Sequence, residues 1–386
     1  MDHFFEADQR IDPSKPGVKP WLSGRQARIL VAPLDWGLGH AARCIPIIRE
    51  FLRQNCDVFL CGEGAQEALL KEEFPNLPFL NLEGYRIKYG SSGLHLLGNL
   101  FFQAPGILKS IKQENAWLKE MAVRHQLDAV ISDNRFGLWH ETIPSVFITH
   151  QLRIKTKLGK LIGNLVQKRN YHYINKFMEC WVPDSENNAG LAGELSHPKK
   201  LPGIAVKYTG PFSRFVLHDE PLRKNHLLII LSGPEPQRTI LENKIIQELG
   251  TYSATATVVR GLPGTKNMIP SGNMIRFYNH LPAEELNREM ALAEFVISRT
   301  GYSTVMDLVT LKKKSILIPT PGQPEQEYLG KYLDEKKMAV CIEQKAFSLS
   351  AALQKARRFI FQFPVEEERH PLTVTIKNFV ETVIRR

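Results

Sequence analysis

Short apolar runs alternate with longer amphipathic stretches along most of the chain. In the first half the runs are "ARILVAPLD" (27–35), "CDVFLCGE" (56–63), "LPFLNLEGY" (77–85), "LDAVISD" (127–133), "PSVFITH" (144–150) and "ECWVPDS" (179–185). In the second half they are "HLLIILSG" (226–233), "TATVVRG" (255–261), "NMIRFYNH" (273–280), "AEFVISRTG" (293–301), "KSILIPTP" (314–321) and "MAVCIE" (338–343). Most lack a polar/apolar alternation, which is the pattern of strands buried on both faces. Helical periodicity fills the intervals, as in "RCIPIIREFLRQ" (43–54) and "TVMDLVTL" (304–311), and closes the chain in "PLTVTIKNFVETVIRR" (371–386). Repeated strand–helix alternation predicts parallel sheets joined by right-handed crossovers.

The rhythm breaks once, over the Pro/Gly-bearing and charged "KYTGPFSRFVLHDEPLRKN" (207–225), and restarts after it. With 386 residues, two domains are expected. The predicted organisation is a polar N-terminal segment (1–26), a Rossmann-like domain (27–206), a linker (207–225), a second Rossmann-like domain (226–365) and a C-terminal helix (366–386). Two such α/β domains, with parallel sheets facing across a cleft, would bind ligands at the carboxyl ends of their strands.

Three turns at predicted strand ends are rich in glycine. The first, "LDWGLGHAAR" (34–43), fits G-x-G-x-x-A at Gly37, Gly39 and Ala42, and Glu63 ends the next strand. That pattern admits a dinucleotide reading. Its surplus histidine, His40, points elsewhere. At a helix N-terminus the dipole disfavours the imidazolium, so His40 is either a neutral base or a ring that caps the helix. The second turn, in "VISRTGYSTVMDL" (296–308), sets Gly301, Ser303 and Thr304 at a helix start able to hold a diphosphate. Asp307 follows one turn on, either to take a ribose diol or to offset the dipole. The third is Ser232–Gly233 in "LLIILSGPEPQRT" (227–239). In "ILIPTPGQPEQEYLGKYL" (316–333), Gln326 and Glu327 open a helix with groups suited to sugar hydroxyls.

Taken together, these stretches resemble the GT-B glycosyltransferases, most closely the family that includes the UDP-N-acetylglucosamine transferase of peptidoglycan synthesis and the monogalactosyldiacylglycerol synthases. The resemblance runs from about Arg28 and is densest over "FYNHLPAEELNREMALAEFVISRTGYSTVMDLVTLKKKSILIPTPGQPEQEYLGKYL". It implies that Gly301 and Thr304 border the donor diphosphate. It sets Asp307 where the family has a ribose-binding glutamate, Gln326 on the donor-sugar glutamine and Glu327 where a second glutamine is common. Ser232–Gly233 match the family's first glycine turn of this domain, but the rest of that motif gives way to "PEPQ". "DWGLGHAAR" matches the first glycine loop, bringing Gly39 to the donor and His40 near the reacting centre. "AVISDNRFG" and "VFITHQL" resemble acceptor-side strand ends and nominate Asp133, His150 and Gln151.

The implied chemistry is inverting transfer of a sugar from a nucleotide diphosphate donor, with UDP favoured. His40 or Asp133 takes the acceptor's proton. Helix N–H groups at Gly301–Thr304, with Arg299 or Arg43, neutralise the leaving diphosphate. No D-x-D pattern and no metal-ligand spacing of His and Cys occurs, so neither a metal nor a cofactor is expected. A nucleotide-sugar 2-epimerase, an NAD-dependent oxidoreductase and a non-catalytic nucleotide-sugar-binding protein are the alternatives.

Charge refines the partner. The net charge is +10, and residues 153–178 carry seven Lys/Arg and no acid. Upstream, "GLHLLGNLFFQAPGILKSIK" (93–112) mixes apolar residues with lysines. A basic, partly apolar surface suits an anionic membrane and a lipid-linked or polysaccharide acceptor. No nucleic-acid module is visible. The N-terminal stretch lacks a signal-peptide core, no run is long enough to span a bilayer, and the five cysteines are scattered. A cytoplasmic protein is expected, peripheral on the inner face of the plasma membrane.

Overall fold

The computed structural model describes residues 26–85, 93–156, 159–187, 190–217, 221–364 and 371–386, with the backbone alone over 93–105 and at 160. The predicted polar N-terminal segment, apart from its last residue, lies outside them. So do the side chains of the first part of the apolar–lysine stretch and residues 366–370 of the predicted C-terminal helix.

Two parallel sheets form. The first has seven strands, in spatial order β3 (Phe79–Asn81), β2 (Asp57–Gly62), β1 (Arg28–Pro33), β4 (Ala129–Asp133), β5 (Ser145–Ile148), β6 (Glu179–Val182) and β7 (Ala205–Tyr208). The second has six: β10 (Ile275–Tyr278), β9 (Ala256–Val259), β8 (Arg223–Ile230), β11 (Ala293–Ser298), β12 (Ser315–Leu317) and β13 (Val340–Cys341). Helices α1 (Leu38–Arg53), α2 (Gly64–Glu73), α3 (Gly93–Arg124) and α4 (Gly159–Ile174) connect strands of the first sheet. Helices α5 (Gln237–Leu249), α6 (Ala283–Leu292), α7 (Tyr302–Thr310), α8 (Pro324–Glu335) and α9 (Leu349–Arg358) belong to the second, and α10 (Pro371–Ile384) ends the chain.

Strand β7 goes beyond the six strands expected of the first half. It is an edge strand, short and partly exposed, so it lacks the buried apolar run that marks the others. Its last two residues, and the first three of β8, fall within the stretch read as a linker.

The alternation of side chains along each strand explains why helices cover both faces. On β1, Ile29 and Val31 join the core under α1, while Leu30 and Ala32 join the opposite core with Leu118 and Met121 of α3. On β8, Leu227 and Ile229 face one core and Leu228 the other. Each such fully buried side chain contributes about 1.5–3 kcal/mol. Helix α10 crosses back from the second sheet to the first. Its Ile376, Phe379, Val380 and Val383 complete the core containing Ile29, Phe51 and Trp181. The Phe379 ring stands edge-on to Trp181 at 5.4 Å. The chain therefore passes between the two units twice, which holds their facing strand ends together.

Candidate active site

Each sheet reverses its order at one point, between β1 and β4 in the first and between β8 and β11 in the second. Beyond these points lie the glycine turns, at the strand carboxyl ends where sheets of this kind bind ligands. Gly37 takes a φ of 78° ahead of α1, a left-handed conformation natural to glycine. Two residues on, the Ser303 hydroxyl at the start of α7 donates to the Gly39 carbonyl at 2.9 Å. A Cβ on Gly39 would stand 3.4 Å from Ser303 Oγ. The first turn of α7 and the first glycine loop thus touch.

Beside that contact lies a linked set of ionisable groups. Asp133, at the end of β4, has no accessible surface. Arg43, one turn into α1, donates from Nε to Asp133 Oδ2 at 3.0 Å and from a terminal nitrogen to Asp133 Oδ1. Its other terminal nitrogen lies 3.1 Å from Nδ1 of His150, at the end of β5. His40 Nδ1 is 3.3 Å from Asp133 Oδ1 and 3.0 Å from Arg43. An Nδ1–H tautomer of His40 donates to Asp133 and leaves Nε2 free to accept a proton. The other tautomer accepts from Arg43. Burial by itself raises the Asp133 carboxyl, but Arg43 and then His40 outweigh it and hold it at about 2.

This geometry corrects two expectations. Asp133 is fully enclosed and strongly acidic, so it orients His40 and Arg43 rather than serving as a base or touching an acceptor. Arg43 spends its guanidinium on Asp133 and the two histidines, so it is unavailable to a donor diphosphate. Its partners are 90 and 107 residues away and left no local signal.

The set extends to the second unit. His150 Nε2 meets Glu325 Oε1, in the first turn of α8, at 2.7 Å. The His150 ring stacks on Tyr302 with centroids 4.1 Å apart and planes 6° apart, and the Tyr302 hydroxyl donates to the Pro183 carbonyl at 2.7 Å. Burial depresses the His150 pKa, with Glu325 opposing and Arg43 reinforcing the shift, so the ring is neutral near pH 7. Neither Glu325 nor Tyr302 was singled out in the sequence, although each adjoins a residue that was. Gln151 follows His150 and is half-buried, its backbone N–H bonded to the Thr149 hydroxyl.

In the second unit, Arg299 follows β11 and is nearly inaccessible. Its terminal nitrogens donate to the carbonyls of Ile318, Pro319 and Gln237, and its Nε has no partner among the described residues. Burial lowers its pKa to about 10. The Thr320 hydroxyl is likewise without a partner. Both border Gly233, where an added Cβ would come within 3.5 Å of Thr320 Oγ1 and 3.9 Å of Arg299 Nε. Ser232 is exposed at that turn. A buried cation with no carboxylate beside it among the described residues, next to the N-terminus of α7 at Gly301, Ser303 and Thr304, is a setting that favours an anion.

Farther along α7, the Asp307 carboxylate accepts from the Ser213 hydroxyl at 2.5 Å, and its pKa is raised to about 6 by burial despite Arg214 nearby. Gln326 Oε1 accepts from the Thr320 N–H and Glu327 Oε1 from the Gly322 N–H, both at 2.9 Å, so these two side chains shape the loop after β12.

The paired parallel sheets are the GT-B architecture. The glycosyltransferase SnogD from Streptomyces nogalater superposes with a TM-score of 0.59 at 14% identity, covering 93% of this chain and 100% of that one. In sequence, residues 212–382 match the glycosyltransferase family 28 C-terminal domain. An uncharacterized glycosyltransferase of Methanosarcina acetivorans is 20% identical over 80% of this chain and 84% of its own. The UDP-N-acetylglucosamine–N-acetylmuramyl-(pentapeptide) pyrophosphoryl-undecaprenol N-acetylglucosamine transferase of Buchnera aphidicola is 21% identical over 80% and 83%. The second unit thus carries a glycosyltransferase family 28 C-terminal domain, and the chain as a whole is similar to glycosyltransferases of GT-B fold.

Proposed function

We propose that the enzyme transfers a hexosyl or N-acetylhexosaminyl group, with inversion and without a metal, from a nucleotide diphosphate sugar to a lipid-linked or cell-envelope acceptor. The observation that carries this reading is the 2.9 Å contact of Ser303 with Gly39, which sets the His40–Asp133 pair beside the N-terminus of α7. A base and an anion-favouring helix end then flank one crevice.

In this reading His40 Nε2 removes the acceptor hydroxyl's proton as the acceptor oxygen attacks the anomeric carbon. The bond from that carbon to the diphosphate oxygen breaks on the opposite face, and its electron pair leaves with the nucleoside diphosphate. Asp133 holds the His40 Nδ1–H and stabilises the imidazolium that forms, at close range in a dry setting. The leaving charge develops against the N–H groups of Gly301–Thr304 and against Arg299. Asp307 takes the ribose diol, Gln326 and Glu327 border the sugar, and Ser232–Gly233 lie along the diphosphate.

The acceptor side has a surface suited to lipid. On α4, Leu161 and Leu165 are 86% and 66% exposed, and Lys168 and Arg169 follow on the solvent side. Apolar side chains next to cations favour an anionic bilayer. Among the described residues no helix is long and apolar enough to cross a membrane. A peripheral enzyme on the inner face of the plasma membrane fits this surface.

A thermal-shift panel of nucleotides and nucleotide sugars tests the donor. UDP-type ligands should raise the melting temperature of the wild type and not of Asp307→Ala. No response to any nucleoside diphosphate would refute the reading. Release of nucleotide from a sugar donor without an acceptor would instead indicate an epimerase-like reaction. For the membrane face, vesicles containing anionic lipid should carry the protein in flotation, and Leu161→Asp with Leu165→Asp should abolish this.

A further inference from the structure

The network around His40 is not confined to one unit. Its last member, Glu325, comes from the second sheet's α8, 175 residues beyond His150. Arg43 has no acceptor capacity, so where it meets His150 Nδ1 at 3.1 Å it must donate. His150 then carries its proton on Nε2, the atom that faces Glu325 Oε1 at 2.7 Å. The two contacts require the same tautomer. Tyr302, also from the second unit, lies flat on the ring and fixes its plane.

We propose that Glu325 is a positioning residue of the transfer site: it accepts the His150 Nε2–H, turns Nδ1 toward Arg43, and so draws the guanidinium toward Asp133 and His150 and away from His40 Nδ1, where its 3.0 Å contact requires the His40 proton on Nε2; with that contact released, the Nδ1–H turns to Asp133 and Nε2 is free. The inference rests on the reading of His40 as the base and adds a condition to it. The base network is complete only when the second unit is seated against the first. Without Glu325, only Arg43 distinguishes the two nitrogens of His150. The inverse tautomer, which confronts Arg43 with an N–H, gains population. Arg43 then gives up His150, and its competing contact with His40 Nδ1 is no longer restrained. Opening of the crevice would have the same consequence, so proton abstraction is coupled to closure.

The test is long-range proton–nitrogen NMR of the full chain labelled with ¹⁵N-histidine, with the two rings assigned from His40→Gln and His150→Gln. In the wild type His150 should show the Nε2–H tautomer. Glu325→Gln, whose amide oxygen can still accept, should keep it. Glu325→Ala should convert His150 to an exchanging mixture and shift the His40 nitrogens. Glu325 is one-third exposed, so Glu325→Ala should fold, and its melting temperature serves as the check. UDP should stabilise Glu325→Ala as it does the wild type, because Glu325 is not part of the diphosphate cradle. With the nucleotide sugar that most stabilises the wild type, kcat of Glu325→Ala should fall about 10- to 100-fold with little change in the donor KM. Unchanged His150 and His40 spectra in Glu325→Ala would overturn the proposal. A wild type with the expected tautomer but no response to any nucleoside diphosphate would overturn the proposed donor chemistry alone.

Discussion

Asp307 offers a way to test the proposed ribose contact without knowing the sugar or the acceptor. Its carboxyl is partly buried beside Ser213 and Arg214. Burial raises its pKa from an ordinary 3.8 to about 6, against the pull of Arg214 and the Ser213 hydrogen bond. The folded protein therefore holds this proton more tightly than the unfolded chain does. The sign follows: stability from this group is fully present below about pH 4 and is lost as pH rises through 6. The displacement corresponds to about 2–3 kcal/mol at pH 7.5. Asp307→Asn removes the ionisation and can still accept the Ser213 hydroxyl. It should be more stable than the wild type at pH 7.5 by about 2 kcal/mol, and the difference should vanish near pH 4. The variant should also bind UDP at least about tenfold more weakly, since a hydrogen bond to a charged acceptor is worth about 1.5–3 kcal/mol. Urea unfolding at pH 4 and 7.5, with UDP titration calorimetry at 7.5, measures both. A wild-type-minus-variant difference that does not change between these pH values would refute the electrostatic argument. Undiminished UDP affinity would refute the ribose assignment.

Three further outcomes follow from the same geometry. His40→Gln should lower kcat by about 10²–10⁴ with a small change in melting temperature, since the ring is partly exposed; retained turnover would remove it as the base. Asp133→Ala leaves Arg43 charged and enclosed, so it should cost about 3–5 kcal/mol in denaturant unfolding. In the wild type, stability from Asp133 should be present above about pH 4 and lost as pH falls toward 2, because its folded pKa is depressed. Arg299→Met should be neutral or stabilising in the unliganded protein, because a buried cation without a carboxylate partner is replaced by an apolar chain. The same variant should lose the thermal response to UDP, and a preserved response would show that the diphosphate lies elsewhere.

The chain's own pattern was enough to establish two parallel α/β sheets, since strands covered on both faces must be apolar throughout and their crossovers must be helical. It also marked the glycine turns, because tight backbone and close approach demand glycine locally, as at Gly37 and Gly39. It missed β7, whose exposure removes that constraint. What sequence could not decide was which of the nominated polar residues meet, and which do chemistry. Asp133 and His40 are both plausible bases in isolation. Only the enclosure of Asp133 by Arg43 and His40, 90 and 93 residues away, separates their roles. Asp307 and Ser213 are 94 residues apart, and His150 and Glu325 are 175. Such pairings leave no periodicity, because hydrogen bonds and charge pairs depend on distance in space, and that distance is set by how the two sheets are packed against each other.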